Sequence, residues 1–328
     1  SVNKPFRWGV ISTGGIARTF ATDLKYLSDQ VVHAVGSRNI ENATNFGNEF
    51  NAKAYGSYEE LVNDPDIDAV YIATPHQLHF ANTIMALNAG KPVLCEKPFA
   101  ITSNQAGEMI SWAKEKNLML MEAMWTRFLP HITKVREILG SGILGEIRTV
   151  SADHGQWFAN DPEFRLFNPD LAGGALLDLA IYPISFAHLV LGVPEEIISS
   201  SLPAFTGVDG QTSAIFNYAN GAQAIINSSL FAATPCRALV SGTLGWLEID
   251  RTFYAPTSMR TVIRKGETTE YPRNYIGVGH REQAVEFARC VNAGLTESPL
   301  LTLNETYEIM KSVTTIKNQI GLKYPFEV

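Results

Sequence analysis

The chain has 328 residues, of which 45% are hydrophobic and 18% charged, and its formal net charge is −7 at pH 7. This composition excludes a disordered or fibrous protein, the length favours two domains, and the acidic balance does not favour nucleic acid or anionic membranes as partners. The three cysteines match no zinc-site spacing. Because no signal peptide and no apolar run of 18 residues is recognisable, we expect a cytoplasmic protein with reduced thiols.

The first 124 residues alternate short apolar runs with amphipathic segments. The pattern predicts strands at residues 7–12, 31–37, 53–55, 68–73, 92–95 and 118–122, and helices at 14–27, 40–50, 58–62, 80–89 and 103–116. Strands that alternate with helices form a parallel sheet with right-handed crossovers. We therefore predict an α/β fold whose N-terminal domain, residues 1–124, is a dinucleotide-binding Rossmann domain.

The pattern changes after residue 124. It predicts helices at 128–139, 176–191, 280–292 and 304–319, and strands at 147–154, 197–202, 211–218, 222–230, 236–241, 245–250 and 261–264. Turn pairs such as Asn220-Gly221 separate the strands. We expect a C-terminal α+β domain, residues 125–328, that has an open, mostly antiparallel sheet and serves substrate binding and dimerisation, with a last helix able to pack back on the first domain.

A glycine-rich turn follows the first predicted strand, in the sequence RWGVISTGGIAR. Strand, tight turn and helix are the elements of a dinucleotide-binding motif, in which the helix N-terminus faces the pyrophosphate. Ser12 stands where the first glycine of that motif is expected. A helix-capping turn without a ligand is the alternative reading. The candidate cofactor contacts are Ser12, Thr13, Gly14, Gly15 and Ile16.

The end of the second strand bears on cofactor choice. NAD-selective domains carry an acidic residue there, but this chain has Ser37 and Arg38. A serine hydroxyl and a guanidinium group suit the 2′-phosphate of NADP. We expect NADP(H) to be favoured over NAD(H), although Arg38 could also be a solvated turn residue.

Two further segments carry candidate catalytic groups. The segment VLCEKPFA places Glu96 and Lys97 at the end of a buried strand, where charges are costly unless a function requires them. Asp178 and Tyr182 lie four residues apart, on one face of a predicted apolar helix. Oxidation of an alcohol requires removal of the hydroxyl proton, and the ammonium of Lys97 would lower the pKa of a tyrosine base from about 10. Asp178 could orient the lysine or a substrate hydroxyl.

These segments resemble the glucose–fructose oxidoreductase/inositol dehydrogenase (Gfo/Idh/MocA) family. The Glu-Lys-Pro sequence at Glu96, the residues ATPHQLH, EAMWTRFLP and GGALLDLAIY, and the glycine turn carry the resemblance, which covers nearly the whole chain. His76 stands where asparagine is common, and Tyr182 stands where many members have histidine. Tyrosine there is similar to the branch of dimeric dihydrodiol and NADP-dependent aldose (xylose) dehydrogenases.

The resemblance implies that Lys97 and Tyr182 are the catalytic pair and that the Lys97–Pro98 bond can be cis. It also implies a homodimer formed through the C-terminal sheet. The residues that it places around the cofactor cleft are Thr74, Pro75, His79 and Glu96.

The substrate would be a small molecule, a sugar or a cyclic polyol, and no nucleic acid, membrane or catalytic metal is expected. Trp125, Arg127, Phe158 and Arg165 are candidate substrate contacts, with core packing or a surface ion pair as the alternative for each. Three other functions stay open at this point. They are a ketosugar or imine reductase, a non-catalytic nucleotide-binding regulator, and an enzyme that recycles a tightly held cofactor.

Overall fold

The chain forms two compact units in the computed structural model, which describes residues 4–327. The first unit comprises the residues up to Ala100, Asn104–Phe128 and Gly277–Thr306. The second comprises Ile101–Ser103, Leu129–Ile276 and the residues from Tyr307 onward. This division differs from a single boundary at residue 124, because a late segment of the chain packs with the first unit.

The first unit is built on a six-stranded parallel sheet. Its strands are β1 (Phe6–Ile11), β2 (Gln30–Gly36), β3 (Lys53–Tyr55), β4 (Ala69–Ile72), β5 (Val93–Glu96) and β6 (Leu120–Ala123). The helices between them are α1 (Gly15–Leu24), α2 (Ile40–Phe50), α3 (Tyr58–Val62), α4 (His79–Asn88) and α5 (Ser103–Lys116). The strand order β3-β2-β1-β4-β5-β6 reverses direction between β1 and β4, which is where such sheets bind ligands.

Aromatic side chains explain why the late segment joins the first unit. The helix Arg281–Asn292 brings Phe287 against Trp8 of β1, with ring centroids 5.1 Å apart. The Trp8 Nε1–H group donates to Gln30 at 2.8 Å, and the buried carboxylate of Asp23 accepts from the backbone and side chain of Arg281. An aspartate so far from Arg281 in sequence gives no local signal of this contact.

The second unit contains an eight-stranded sheet, whose order is β14-β13-β12-β11-β7-β10-β9-β8. The strands are β7 (Ile147–Gly155), β8 (Glu196–Pro203), β9 (Asp209–Asn217), β10 (Gln223–Ser229), β11 (Ala238–Gly242), β12 (Gly245–Ile249), β13 (Met259–Ile263) and β14 (Thr268–Tyr271). The remaining helices are α6 (Pro130–Ser141), α7 (Ile181–Leu191), α8 (Arg281–Asn292, in the first unit) and α9 (Leu303–Gln319). Only the pair formed by β7 and β10 is parallel within this sheet of the described residues.

The predicted fold class is confirmed, and two local features differ from the prediction. Strand β14 was not predicted, because its sequence TTEY is short and mostly exposed. The helix predicted from residue 176 begins with a π-helical turn, Leu176–Ala180, before α7. By length and composition the segment Pro169–Leu191 could cross a membrane, but 83% of its most apolar window is buried, as in a core helix.

Asp209 holds the N-terminal end of this helical segment. Its Oδ2 atom accepts from the backbone N–H of Leu176 at 2.7 Å and from the hydroxyl of Thr212 at 2.8 Å. Gly174 has φ +113°, and a side chain there would overlap Asp209. Only glycine therefore lets the backbone at residue 174 pack this closely against Asp209. Burial raises the pKa of Asp209 to about 7, although the two hydrogen bonds favour the charged carboxylate and lower the pKa.

We expect Asp209→Asn to change how stability depends on pH. The pKa of Asp209 is raised on folding, so its contribution is fully present below about pH 4 and is lost as pH rises through about 7. The wild type should therefore lose about 2–4 kcal/mol relative to Asp209→Asn between pH 4 and 8. Urea unfolding across this range measures the difference, with the exposed Asp170→Asn as control, and equal slopes in all three proteins would contradict the expectation.

Candidate active site

The predicted cofactor residues all lie at one edge of the six-stranded sheet. They lie at or directly after the carboxyl ends of β2, β1, β4 and β5, which are consecutive neighbours in the sheet order. Because the strands are parallel, side chains that follow each of them face the same edge. The first unit therefore brings the predicted cofactor residues together.

The turn after β1 has the geometry of a phosphate-binding loop. Ser12 has φ +95°, a conformation that glycine adopts at little cost, and this explains the glycine expected at this position. Helix α1 begins at Gly15, where an added side-chain carbon would meet no atom within 4 Å. Thr13 and Ile16 are part-exposed beside it. The open approach and the first-turn amide groups fit a dinucleotide pyrophosphate.

The end of β2 leaves Arg38 exposed to solvent. Ser37 is buried, and its hydroxyl accepts from the backbone N–H of Asn39 at 3.1 Å. Asn39 is occupied as the cap of α2, since its side chain accepts from the N–H groups of Glu41 and Asn42. No acidic side chain stands in the stretch Gly36–Asn39, so the position that selects the ribose 2′-hydroxyl in NAD enzymes lacks its carboxylate.

Glu96 links the end of β5 to the phosphate-binding helix. The hydroxyl of Tyr71 donates to its Oε2 atom at 2.6 Å, and the Tyr71 ring stacks on Phe20 of α1 at 4.0 Å. Lys97 follows at once, is part-exposed, and precedes Pro98 through a cis peptide bond, as the resemblance implied. The buried carboxylate thus has a partner in β4, while the role of Glu96 toward the cofactor stays a prediction.

His79 connects the segments that follow β4 and β5. Its ring nitrogens lie 2.7 Å from the carbonyl oxygen of Pro98 and 2.9 Å from that of Thr74. Burial, together with neighbouring His76, lowers the pKa of His79 to about 3, so the ring is neutral and donates to one of the two carbonyls. The Thr74 hydroxyl donates to Asn82 at 2.8 Å, and Pro75 is part-exposed beside it.

Residues after β6 form a second buried network. Arg127 is 1% exposed, and its guanidinium donates to Glu305 at 3.3 Å. Burial raises the pKa of Glu122 to about 7, opposed by the charge of Arg127. These contacts fit an internal ion pair, and a contact of Arg127 with the substrate stays a prediction. Trp125 stacks on His280 at 4.4 Å, and burial lowers the pKa of that histidine to about 4.

In the second unit, Tyr182 is packed between aromatic rings at the start of α7. It is 8% exposed and stacks on Tyr254, with centroids 4.0 Å apart and planes at 15°. His154 lies 5.5 Å away from it and also contacts Tyr254 at 4.7 Å. The described contacts leave the Tyr182 ring little room to change its rotamer.

Asp178 is held by an ion pair. Arg165 Nη1 donates to Asp178 Oδ1 at 3.0 Å, and the arginine side chain stays 46% exposed. The structure thus brings together two residues that the sequence analysis assigned separately, to catalysis and to substrate binding. Phe158 packs on Phe164 at 5.0 Å and is part-exposed.

Sequence reasoning missed His154, Tyr254, His280 and Glu122 as members of these networks. One signal was available for His154, because Pro183 has no N–H group to donate to the carbonyl of Leu179, which therefore needs another donor. The others are separated from their partners by many residues and depend on the fold. Within residues 4–327, one group of side chains, His33, Asp64 and Asp66, could hold a metal ion, and it contains none of the predicted catalytic residues.

Comparison with known families supports this arrangement. Residues 6–124 match the model described as oxidoreductase family, NAD-binding Rossmann fold, and residues 132–248 match the GFO/IDH/MocA C-terminal domain. The two matches fall in the two halves of the chain that the sequence analysis predicted. The first covers every predicted cofactor residue, and the second covers Asp178 and Tyr182.

Relatives match over almost the full length. A trans-1,2-dihydrobenzene-1,2-diol dehydrogenase from Xenopus laevis is 37% identical, over 97% of this chain and 99% of its own. A D-xylose 1-dehydrogenase (NADP(+)) from Hypocrea jecorina is 36% identical, over 97% of this chain and 93% of its own. A 3-ketoreductase structure from Actinomadura kijaniata, in complex with NADP and TDP-benzene, has a TM-score of 0.85 at 27% identity and covers 97% and 98% of the two chains. Together with the site geometry, these matches show that the chain belongs to the Gfo/Idh/MocA family of oxidoreductases with an NAD(P)-binding Rossmann domain.

Proposed function

We propose that this protein is an NADP-dependent dehydrogenase that oxidises a CH–OH group of a sugar or cyclic polyol. The first unit carries Lys97 directly after β5, and the second carries Tyr182 in an aromatic clamp at the start of α7. The observation that carries the proposal is the ordering of the Tyr182 ring within its own unit, and the position of Lys97 at the cofactor edge of the first unit supports it. The dihydrodiol and xylose dehydrogenases among the relatives support the substrate class.

The proposed roles follow from elementary acid–base chemistry. The nicotinamide, when bound, supplies the hydride acceptor or donor. Tyr182 takes the proton of the substrate hydroxyl in oxidation and returns it in reduction. In this proposal the ammonium group of Lys97 would favour the phenolate and so bring the Tyr182 pKa down toward the working pH. Asp178 orients Arg165, whose remaining N–H groups are free to bind substrate hydroxyls, because the side chain is 46% exposed.

Reduction of a keto sugar is the second candidate. It is favoured by one observation, the structural match to a 3-ketoreductase bound to NADP. The same residues serve either direction, since Tyr182 donates the proton that it would otherwise accept. Assays of a substrate panel in the oxidising and in the reducing direction distinguish the dehydrogenase from the keto-sugar reductase. NADP reduction is followed with aldoses, inositols and trans-1,2-dihydrobenzene-1,2-diol, and NADPH oxidation with keto sugars.

Variants of the two proposed catalytic residues test the mechanism on whichever substrate is turned over. Lys97→Met and Tyr182→Phe should each lower kcat by about 10²–10⁴-fold, the usual contribution of a positioned acid–base group, with NADPH affinity within about twofold of wild type. The exposed Lys116→Met is the matched control.

Two outcomes would contradict these assignments. An equal loss of turnover and NADPH binding in Lys97→Met would make Lys97 a binding residue. Turnover near the wild-type value in Tyr182→Phe would remove Tyr182 from the acid–base role.

Cofactor preference follows from the end of β2. Arg38 is exposed there, and no acid stands in the stretch Gly36–Asn39. We propose that Arg38 pairs with the 2′-phosphate and that Ser37 assists it.

Arg38→Ala should weaken NADPH binding by about 10–100-fold, the range expected for charge-assisted hydrogen bonds, and spare NADH. Fluorescence titration of the two nucleotides measures this. Arg18→Ala serves as control, because Arg18 is also exposed in the same unit but pairs with Glu49. An unchanged ratio of the two affinities would remove Arg38 from the phosphate site.

The outer face of the second sheet carries an apolar row that suits a homodimer. Ile198, Ile215 and Ile225 are directly paired across β8, β9 and β10, and they are 52%, 39% and 48% exposed. An apolar row of this kind on a sheet face favours burial against a second copy. We propose that this face forms the dimer interface.

Ile215→Glu should therefore yield a monomer, since the charge would be buried without a partner. Light scattering after gel filtration measures the mass of the wild type and the variant. Ile143→Glu is the control, because Ile143 is 46% exposed but lies outside the sheet. A wild-type monomer at micromolar concentration would contradict the proposal.

A further inference from the structure

The carbonyl group of Leu179, three residues before Tyr182, lacks the backbone N–H donor that an α-helix normally provides. Leu179 lies four residues before Pro183, and proline has no N–H to donate to the carbonyl four residues earlier. His154 of β7 supplies a donor instead, since its Nδ1 atom lies 3.0 Å from the Leu179 carbonyl oxygen. The π-helical turn Leu176–Ala180 ends at this same place.

This contact determines the tautomer of His154. A carbonyl oxygen only accepts, so Nδ1 carries the proton and donates. In the neutral ring, Nε2 is then an acceptor, and two donors face it. They are the side-chain amide of Gln156 at 3.0 Å and the hydroxyl of Tyr254 at 3.1 Å. Tyr254 therefore donates to a histidine whose orientation is fixed by the backbone of the catalytic helix.

Tyr254, held by His154, in turn restricts the position of the Tyr182 ring. The two phenol rings are stacked at 4.0 Å and 15°, so the position of one limits the position of the other. His154 is 2% exposed and Tyr182 is 8% exposed, so solvent offers little space for alternative rotamers. The same histidine thus holds the backbone three residues before Tyr182 and, through Tyr254, one face of its ring.

We propose that His154 and Tyr254 are a positioning pair that holds Tyr182 in its reactive orientation. This inference deepens the proposed function and rests on Tyr182 as the acid–base group. Tyr182 must meet the substrate hydroxyl at hydrogen-bond distance, and small misplacements of a catalytic group are costly to the rate. The pair acts through Tyr182, so its loss lowers kcat and leaves cofactor affinity unchanged.

Three substitutions separate the hydrogen bond of His154 to Leu179 from its hydrogen bond to Tyr254. Tyr254→Phe keeps the stacked ring and removes the hydroxyl donor. His154→Asn keeps an amide N–H in the place of Nδ1, so it retains the bond to Leu179 and loses the acceptor for Tyr254. His154→Gln keeps an acceptor oxygen in the place of Nε2 and retains the partner of Tyr254.

We expect Tyr254→Phe and His154→Asn each to lower kcat by roughly tenfold, with KM and NADPH affinity within about twofold of wild type. Because both remove the same hydrogen bond, the double variant should lose no more than either single variant. His154→Gln should recover most of the loss. Turnover is measured with D-xylose and with trans-1,2-dihydrobenzene-1,2-diol as probes.

A second measurement needs no substrate. Protein labelled with ¹³C at the tyrosine ζ carbon gives a resonance for Tyr182 that is identified by its absence in Tyr182→Phe. Tyr254→Phe and His154→Asn should shift this resonance and its titration midpoint, and His154→Gln should restore both. Tyr218→Phe is the matched control, because the Tyr218 hydroxyl is buried without a hydrogen-bond partner among residues 4–327.

The outcomes distinguish this inference from the proposed function. Wild-type turnover in Tyr182→Phe would overturn both. A large loss in Tyr182→Phe, with wild-type kcat and an unshifted Tyr182 resonance in Tyr254→Phe and His154→Asn, would overturn the positioning pair alone. A lower unfolding midpoint without either change would assign the two residues a purely structural role.

Discussion

Polar groups must be buried at the carboxyl edge of the six-stranded sheet, and the first unit is organised around that constraint. Buried carboxylates and imidazoles are costly unless they are neutral or hydrogen-bonded. Glu96 accepts from Tyr71, His79 spans two backbone carbonyls as a neutral ring, and Arg127 pairs with Glu305. The first contact joins β4 to β5, the second joins the segments that follow β4 and β5, and the third joins the segment after β6 to α9. Satisfying these polar groups therefore also orders the edge of the sheet.

The second unit meets the same constraint in α7, the helix that carries Tyr182. Pro183 removes an amide donor from α7, and a helix interior normally loses stability when that happens. Here the carbonyl of Leu179 accepts from His154, and Asp178, which lies in the adjoining π-helical turn, pairs with Arg165. Such turns recur at functional sites, because they displace side chains from the regular helical face. The missing N–H group of Pro183 and the π-helical turn thus occur where hydrogen bonds to His154 and Arg165 fix the backbone before Tyr182 and the side chain of Asp178.

Local patterns in the sequence predicted the alternating elements, the Glu-Lys-Pro strand end and the placement of Tyr182 on a buried helix. They could not predict contacts between distant segments, such as Asp23 with Arg281 or His154 with Tyr254, which only the fold brings together. They also could not predict ionisation, because the pKa of Glu122 depends on burial and on Arg127. Pro183 was visible in the sequence, however, and its missing N–H group indicates that the carbonyl of Leu179 needs another donor.

The ionisation states in the first unit bear on why a lysine, rather than a histidine, stands after β5. Burial lowers the pKa of His79 to about 3 and that of His280 to about 4, and the positive charge of Lys97 adds to both shifts. At neutral pH these imidazoles are therefore uncharged, and they do not compete with Lys97 for an anionic group. In the proposed mechanism, an anion that forms on the tyrosine or on the substrate would then be stabilised by Lys97 and not by these imidazoles. The buried histidines order segments that follow the strands, while the proposed mechanism assigns the charge that assists proton transfer to Lys97.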